Sequence, residues 1–390
     1  MDFSPPLHDP HFHAGDPLPD YRRLRAEAPI HWHPTPGFWV LSRHEDVVAV
    51  SRDPATFCSG RGVLLSDIDR PIMRRQSIIY MDPPEHAKYR KLVQPAFSPG
   101  RLRALEATIE ATSRTLLAGL DGDGPVDFVD AYAAPLPMLV IADMLGVPGE
   151  DRAAFKRWSD AVIEAGSTPT AENMAQSVEL LEYFGRVIAE RRAAPADDII
   201  SVLVHSEIDG ERLEEFDLLM FCMTLLVAGN ETTRNLLSHG ALALATHPEE
   251  RALLAGDAAL MPRAIEEMLR WGSPISSFMR VATRDTELRG TPIREGERLY
   301  LLYTSANRDE AVFGDDAEAF RISRDAARHV AFGFGEHFCL GAQLARMEGR
   351  IAFTHLLERF ARWDVAGPVE RLPSLFLRGI EHLPLTFAPR

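Results

Sequence analysis

Cys339 stands in the stretch FGFGEHFCLG (Phe332–Gly341), among aromatics and glycines and directly ahead of a helical pattern in which Leu340, Leu344, Met347 and Ile351 recur. A thiol just before a helix N-terminus sits where amide N–H groups and the helix dipole favour the thiolate, the metal-ligating and nucleophilic form. A free cysteine is more often a small buried hydrophobe, but that role does not require Gly333, Gly335 and Gly341 around it. These glycines permit a tight turn and a close approach of the backbone to a large flat ligand. A second stretch, GNETT (Gly229–Thr233), sets Glu231 and Thr232 after the apolar run LLMFCMTLLVAG. A helix-interior glycine costs about 1 kcal/mol against alanine, and a buried acid costs more unless it is paired. The residues alone leave two readings open. One is a kink in which the threonine bonds back to the carbonyl four residues earlier; the other is a backbone opened to a flat ligand, with a polar pair beside it. In EMLR, Glu267 and Arg270 lie at i, i+3, while Glu266 and Arg270 offer the alternative of an exposed i, i+4 pair.

These groups need long elements to hold them. A helix from about Leu213 to Ala245, ending at HP, is apolar on every face at its centre, LLMFCMTLLVAG, and must cross the interior. PRAIEEMLRWG reads as a helix started by Pro262 and stopped by Gly272. Phe38 to Leu41 reads as a strand followed by a helix, and alternation between Met279 and Ser305 predicts short strands. The expected fold is mainly α with a small β portion, one domain over residues 1–390, with residues 1–20 an irregular N-terminal segment.

Composition narrows the function. The 390 residues are 46% hydrophobic and 25% charged, an ordinary globular profile, and the net charge of −15 argues against nucleic acid as a partner. No signal peptide or membrane anchor is expected, which makes the cytoplasm the default location. Cys58, Cys222 and Cys339 are odd in number and far apart, so a disulfide framework is not expected. His337 and Cys339 give only two ligands, too few for a structural zinc.

Phe332, Gly335, Cys339 and Gly341 together resemble the haem-binding loop of the cytochromes P-450, the haem-thiolate monooxygenases. GNETT is similar to that family's oxygen-activating helix motif, and EMLR to its ExxR pair. MDPPEHAKYRKLVQPAFSP resembles the segment whose His and Arg reach the haem. The motifs occur in the family's order, and the resemblance runs from about Phe38 to Leu385. It implies a cytochrome P-450 fold with haem b buried between two long helices. Cys339 would be the iron ligand, Phe332 its shield, and Gly229, Gly335 and Gly341 would pack near the macrocycle. His86, Arg90, Arg280 and His337 would pair with the haem propionates. Thr232 would hydrogen-bond the dioxygen and Glu231 would link to water, together supplying protons. Glu267 and Arg270 would form a structural network behind the cysteine loop. The family often completes that network with an arginine in a PERF-like segment; here Ala319 stands in its place, and Arg321 and Arg324 remain open as substitutes.

The activity implied is a soluble bacterial-type monooxygenase that inserts one atom of O2 into a lipophilic small molecule. A peroxide-driven peroxygenase of the same fold and a non-catalytic haem-binding protein are the alternatives. The expected pocket comprises Val63, Leu64 and Leu65, Ile78 to Tyr80, Leu225 to Ala228, Ile275 to Phe278, and Phe376. GNETTRN and LLYTSAN are similar to actinobacterial sterol and lipid hydroxylases, which implies a sterol, terpenoid or fatty-acyl substrate. No fused reductase is expected, so NAD(P)H would act through a reductase and a ferredoxin. Arg70, Arg74, Arg75, Lys88, Arg90, Lys91, Arg101 and Arg103, with Arg346 and Arg350, are expected to form a basic face for an acidic ferredoxin.

Overall fold

The computed structural model describes residues 3–69, 77–120, 124–167, 170–208 and 210–390. Its spine is the central helix Glu215–Thr246, close to the predicted span. The helix begins in a capping box: the Asp217 side chain accepts from the Glu214 N–H, and the Glu214 side chain accepts from that of Asp217. These bonds satisfy N–H groups that the helix itself leaves free. Buried faces on several sides let it pack against the helices Pro135–Met144, Met261–Gly272 and Ala342–Arg359. At Gly240 the packing is so close that a Cβ would lie 2.3 Å from the Phe353 ring.

A five-stranded sheet flanks the helices in the order Ile30–His33, Phe38–Leu41, Arg298–Leu302, Ser277–Ala282, Phe57–Cys58. The pair Phe38–Leu41 and Arg298–Leu302 is parallel and the other pairs are antiparallel. In Ser277–Ala282 the side chains alternate between faces. Phe278 and Arg280 share one face and line the cavity described below, while Met279 packs into the core with Phe38 and Tyr300.

Two local expectations give way. Residues before 21 are not irregular throughout: they include the helix Pro10–Ala14 and the start of Leu18–Glu27. Prolines sit in the first turn of each helix, where proline loses no hydrogen bond. Asp9 caps the first by accepting from the His11 N–H at 2.8 Å, and Tyr21 and Leu24 bury the second against the sheet. The helix Met261–Gly272 is stopped by Ser273, which adopts a left-handed φ of 44°. Its hydroxyl donates to Arg270 O and accepts from the Asn307 amide, which holds a conformation that serine rarely takes. Gly272 serves packing instead, since a Cβ there would lie 2.9 Å from His239 Cβ.

Candidate active site

The cysteine loop is held from both sides. Gly335 has φ +73°, and a Cβ there would fall 2.1 Å from the Ser51 carbonyl oxygen on the helix His44–Arg52. The Cys339 N–H donates to Phe332 O at 2.9 Å. Cys339 lies deep in the protein, yet its side chain faces open space. Burial pushes its thiol up, opposed by the Gly341 N–H and the charges of Arg90 and Arg346. A cation at the sulfur would complete the stabilisation of a thiolate. A Cβ on Gly341, which also lines this space, would meet no atom within 4 Å.

The space is a cavity bounded by the central helix, the cysteine loop and the strand Ser277–Ala282. Four basic side chains gather on its lining: His86, Arg90, Arg280 and His337. His86 and Arg90 come from one face of the helix Glu85–Val93. Arg280 is buried, donates to its neighbour Met279 O at 2.7 Å, and has no carboxylate partner among the described residues. Arg90 donates to Phe338 O, and His86 Nε2 has no partner. Burial, with help from His337 and opposed by Glu336, lowers the pKa of His86 to about 4; burial also lowers that of His337. Arg90 and Arg280, guanidinium groups at the cavity without a carboxylate partner among the described residues, call for an acid from a ligand, and the two imidazoles beside them can donate to it. A flat dicarboxylate whose metal meets a thiolate fits this donor set, and haem is such a group.

Thr232 and Gly229 reach the cavity and Glu231 does not. The Thr232 hydroxyl donates to Ala228 O at 2.7 Å, the back-bonded arrangement, in a helix that continues unbroken. Glu231 is buried and accepts from Arg234 at 3.2 Å, one helical turn on. At Gly229 a Cβ would meet Ile141 Cδ1 at 2.7 Å, so helix packing is one reason for this glycine.

A family model described as Cytochrome P450 matches residues 256–380. The steroid C26-monooxygenase of Mycobacterium tuberculosis is 40% identical over 377 residues, covering 95% of this chain and 93% of the relative. The chain belongs to the cytochrome P450 family. The vitamin D(3) 25-hydroxylase of Pseudonocardia autotrophica is 39% identical over 384 residues, covering 96% of this chain and 94% of that one. Among solved structures, the P450 CYP109Q5 from Chondromyces apiculatus superposes with a TM-score of 0.90 at 36% identity, covering 98% of each chain. CYP109E1 from Bacillus megaterium, in complex with testosterone, gives 0.87 at 35% identity, covering 95% and 99%. This P450 is therefore a monooxygenase, and membership implies haem and O2 with electrons derived from NAD(P)H. The mainly α fold with a small β portion is the family's, and none of its described helices is long and apolar enough to cross a membrane.

The network behind the loop is complete. Glu267 and Arg270 are fully buried and joined by two bonds of 2.7 Å. Arg270 also donates to the carbonyls of Asn307, Ala317 and Ala319. Arg324 supplies the further guanidinium, 3.4 Å from Glu267, whereas Arg321 contributes only its backbone N–H and turns its side chain to Asp316. Glu266 pairs with Arg346 and His329, not with Arg270.

Of the expected pocket residues, Val63, Ile78, Ile79, Leu225, Ala228, Ile275 and Phe278 line the cavity. Leu64, Leu65, Tyr80, Leu226, Val227, Ser276, Ser277 and Phe376 do not. Leu65 packs into the core with Leu7 and Tyr21, and the Phe376 ring meets that of Phe278 tilted, with centroids 6.3 Å apart. The basic face is largely neutralised by acids from elsewhere in the chain. Lys88 meets Glu211, Arg101 meets Asp197, Arg346 meets Glu266 and Arg350 meets Glu106. Arg70, Arg74 and Arg75 lie outside the described residues.

Sequence reasoning missed Glu348, two turns into the cysteine helix Ala342–Arg359. It lines the cavity, is 1% exposed, has no partner for Oε2, and is pushed up to about 8 by burial. Between the ordinary glutamate value and about 8 the folded state keeps this proton and the unfolded chain has lost it, so stability falls as pH rises. One proton changes stability by about 1.4 kcal/mol per pH unit, hence roughly 3 kcal/mol by pH 7. Glu348→Gln is expected to match the wild type in urea unfolding near pH 4.5 and to exceed it progressively towards pH 7. A pH-independent gap would rule out ionisation of Glu348 as the cause.

Proposed function

We propose that this P450 hydroxylates a lipophilic, steroid-sized molecule, with Cys339 as the iron ligand of haem b and Thr232 and Glu231 handling protons. The observation that carries the reading is an apolar cavity wall, Val63, Ile78, Ile79, Leu225, Ile275 and Phe278, running up to Thr232 in the same cavity as Cys339. A steroid is also what the C26-monooxygenase relative acts on, and testosterone is what the CYP109E1 structure holds.

The bound haem supplies one-electron and O2 chemistry, which its thiolate ligand biases towards O–O cleavage. The chain supplies the rest. Arg90, Arg280, His86 and His337 would hold the propionates of that group. The apolar wall orients the substrate and excludes water. Thr232, its own hydrogen committed to Ala228 O, accepts a hydrogen bond at Oγ1 from a water that carries the incoming proton. Glu231 reaches that water by rotating away from Arg234, whose side chain is 18% exposed and leads outward.

Turnover of a steroid with isotope-labelled O2 tests the reading: one labelled oxygen should enter the product. Thr232→Ala should bind the steroid as the wild type does while most reducing equivalents go to peroxide or water. Label arriving from peroxide instead of O2, or full coupling in Thr232→Ala, would refute the proton assignment. The electron donor proposed is an acidic ferredoxin served by an NAD(P)H-dependent reductase. Its docking face is the thiolate side, a groove lined by Phe97, Leu102, Arg103, Gln343 and Met347. Lys91 and Arg103 show no ion pair with a described residue, so Lys91→Glu and Arg103→Glu should each slow first-electron transfer several-fold at low salt and less at high salt. Unchanged rates in both would exclude this face.

A further inference from the structure

Thr224 and Thr232 share one face of the central helix, with Ala228 between them at i, i+4 spacing, and all three line the cavity. Their hydroxyls are committed differently. Thr232 bonds back to its own helix, whereas Thr224 Oγ1 donates at 3.1 Å across to Ser77 Oγ, the residue capping the turn Ile78–Tyr80. Ile78 and Ile79 of that turn, with Val63, Phe221 and Leu225, form the apolar wall around Thr224. Away from the basic group and Thr232, this end of the cavity therefore offers one hydroxyl in an apolar surround. Its hydrogen points across the gap between helix and turn, and an incoming oxygen acceptor can take that bond from Ser77. The two threonines are eight residues apart, about 12 Å along the helix.

We propose that Thr224, backed by Ser77, anchors the single polar end of an elongated lipophilic substrate, so that the carbon presented at Thr232 lies roughly 12 Å from that end. The inference rests on the reading of this cavity as a lipophilic-substrate site and narrows the class to rigid molecules with a terminal oxygen. Everything between the two threonines is recognised by shape, and the terminal oxygen sets the register of the molecule along the helix.

The test compares the haem-loaded protein's affinity for a 3-oxosteroid and its 3-deoxy parent, by calorimetry and by haem spin-state titration. One neutral hydrogen bond corresponds to a preference of about tenfold for the oxygenated ligand. Thr224→Val, which keeps the shape, should bring that ratio close to one by weakening the oxosteroid alone, and Thr224→Ser should retain it. The same ratio in Thr224→Val, or an equal loss for both ligands, overturns the anchor while leaving the lipophilic-substrate reading intact. Failure of both steroids to bind the wild type overturns the substrate class and the anchor with it.

Discussion

Cys339→His protein, reduced and treated with carbon monoxide, should lose the strongly red-shifted Soret band that the wild type gives, and should show an imidazole-type spectrum or no bound haem. The expectation follows from the loop. Gly335 against Ser51 O and the Cys339 N–H on Phe332 O fix where the side chain at 339 points, so the substitution changes the donor atom more than its direction. Imidazole is a neutral nitrogen donor and cannot push electron density as a thiolate does. Cys58 and Cys222 are buried elsewhere, and Cys58→Ser and Cys222→Ser should keep the wild-type band. A red-shifted band that survives in Cys339→His, or is absent from the wild type, would remove the sulfur from the metal.

Glu267→Ala should lower unfolding stability by about 3–5 kcal/mol, because it leaves the Arg270 guanidinium buried with no charge partner. Arg270→Ala should cost less, because Arg324 still faces Glu267 at 3.4 Å and the Arg321 N–H still donates to it. Lys156→Ala, which breaks the exposed i, i+4 pair with Asp160, should cost at most about 0.5 kcal/mol. The buried pair also bears on the cysteine loop. Arg270 donates to Asn307 O, and the Asn307 side chain accepts from the Val330 N–H, two residues before Phe332. Glu267→Ala should therefore release haem at denaturant concentrations where Lys156→Ala retains it. Equal urea midpoints for the two variants would show that the pair carries no such load.

What the sequence made legible was contiguous. The cysteine loop, the central helix and the strand Phe38–Leu41 depend on neighbours within a few residues, and their spacing could be read directly. Groups whose environment is assembled from distant segments were not legible. Arg324 is told from Arg321 only by which one turns towards Glu267. The basic count between Arg70 and Arg103 could not include Glu211 and Asp197, which reach Lys88 and Arg101 from a distant hairpin and loop, nor could it show that Glu266 and Glu106 meet Arg346 and Arg350. Glu231 and Thr232 are adjacent in a motif, but successive helical positions diverge by about 100° and only one of them meets the cavity. Thr224 carried a usable signal in its four-residue spacing from Ala228, yet its bond to Ser77 depends on the fold.

The parallel strand pair sets an order of events during synthesis. Trp39 faces Leu299 in that ladder, so the strand Phe38–Leu41, paired on one edge with Ile30–His33, keeps its other edge open on the ribosome until most of the chain has emerged. Long-range pairing of this kind is slow to form and leaves strand edges open meanwhile. His86 and Arg90 emerge early, Arg280 arrives with the sheet, and Cys339 follows them all. A haem held as proposed, by these basic residues and Cys339, would therefore gain its sulfur ligand only after the other segments that line the cavity have been made.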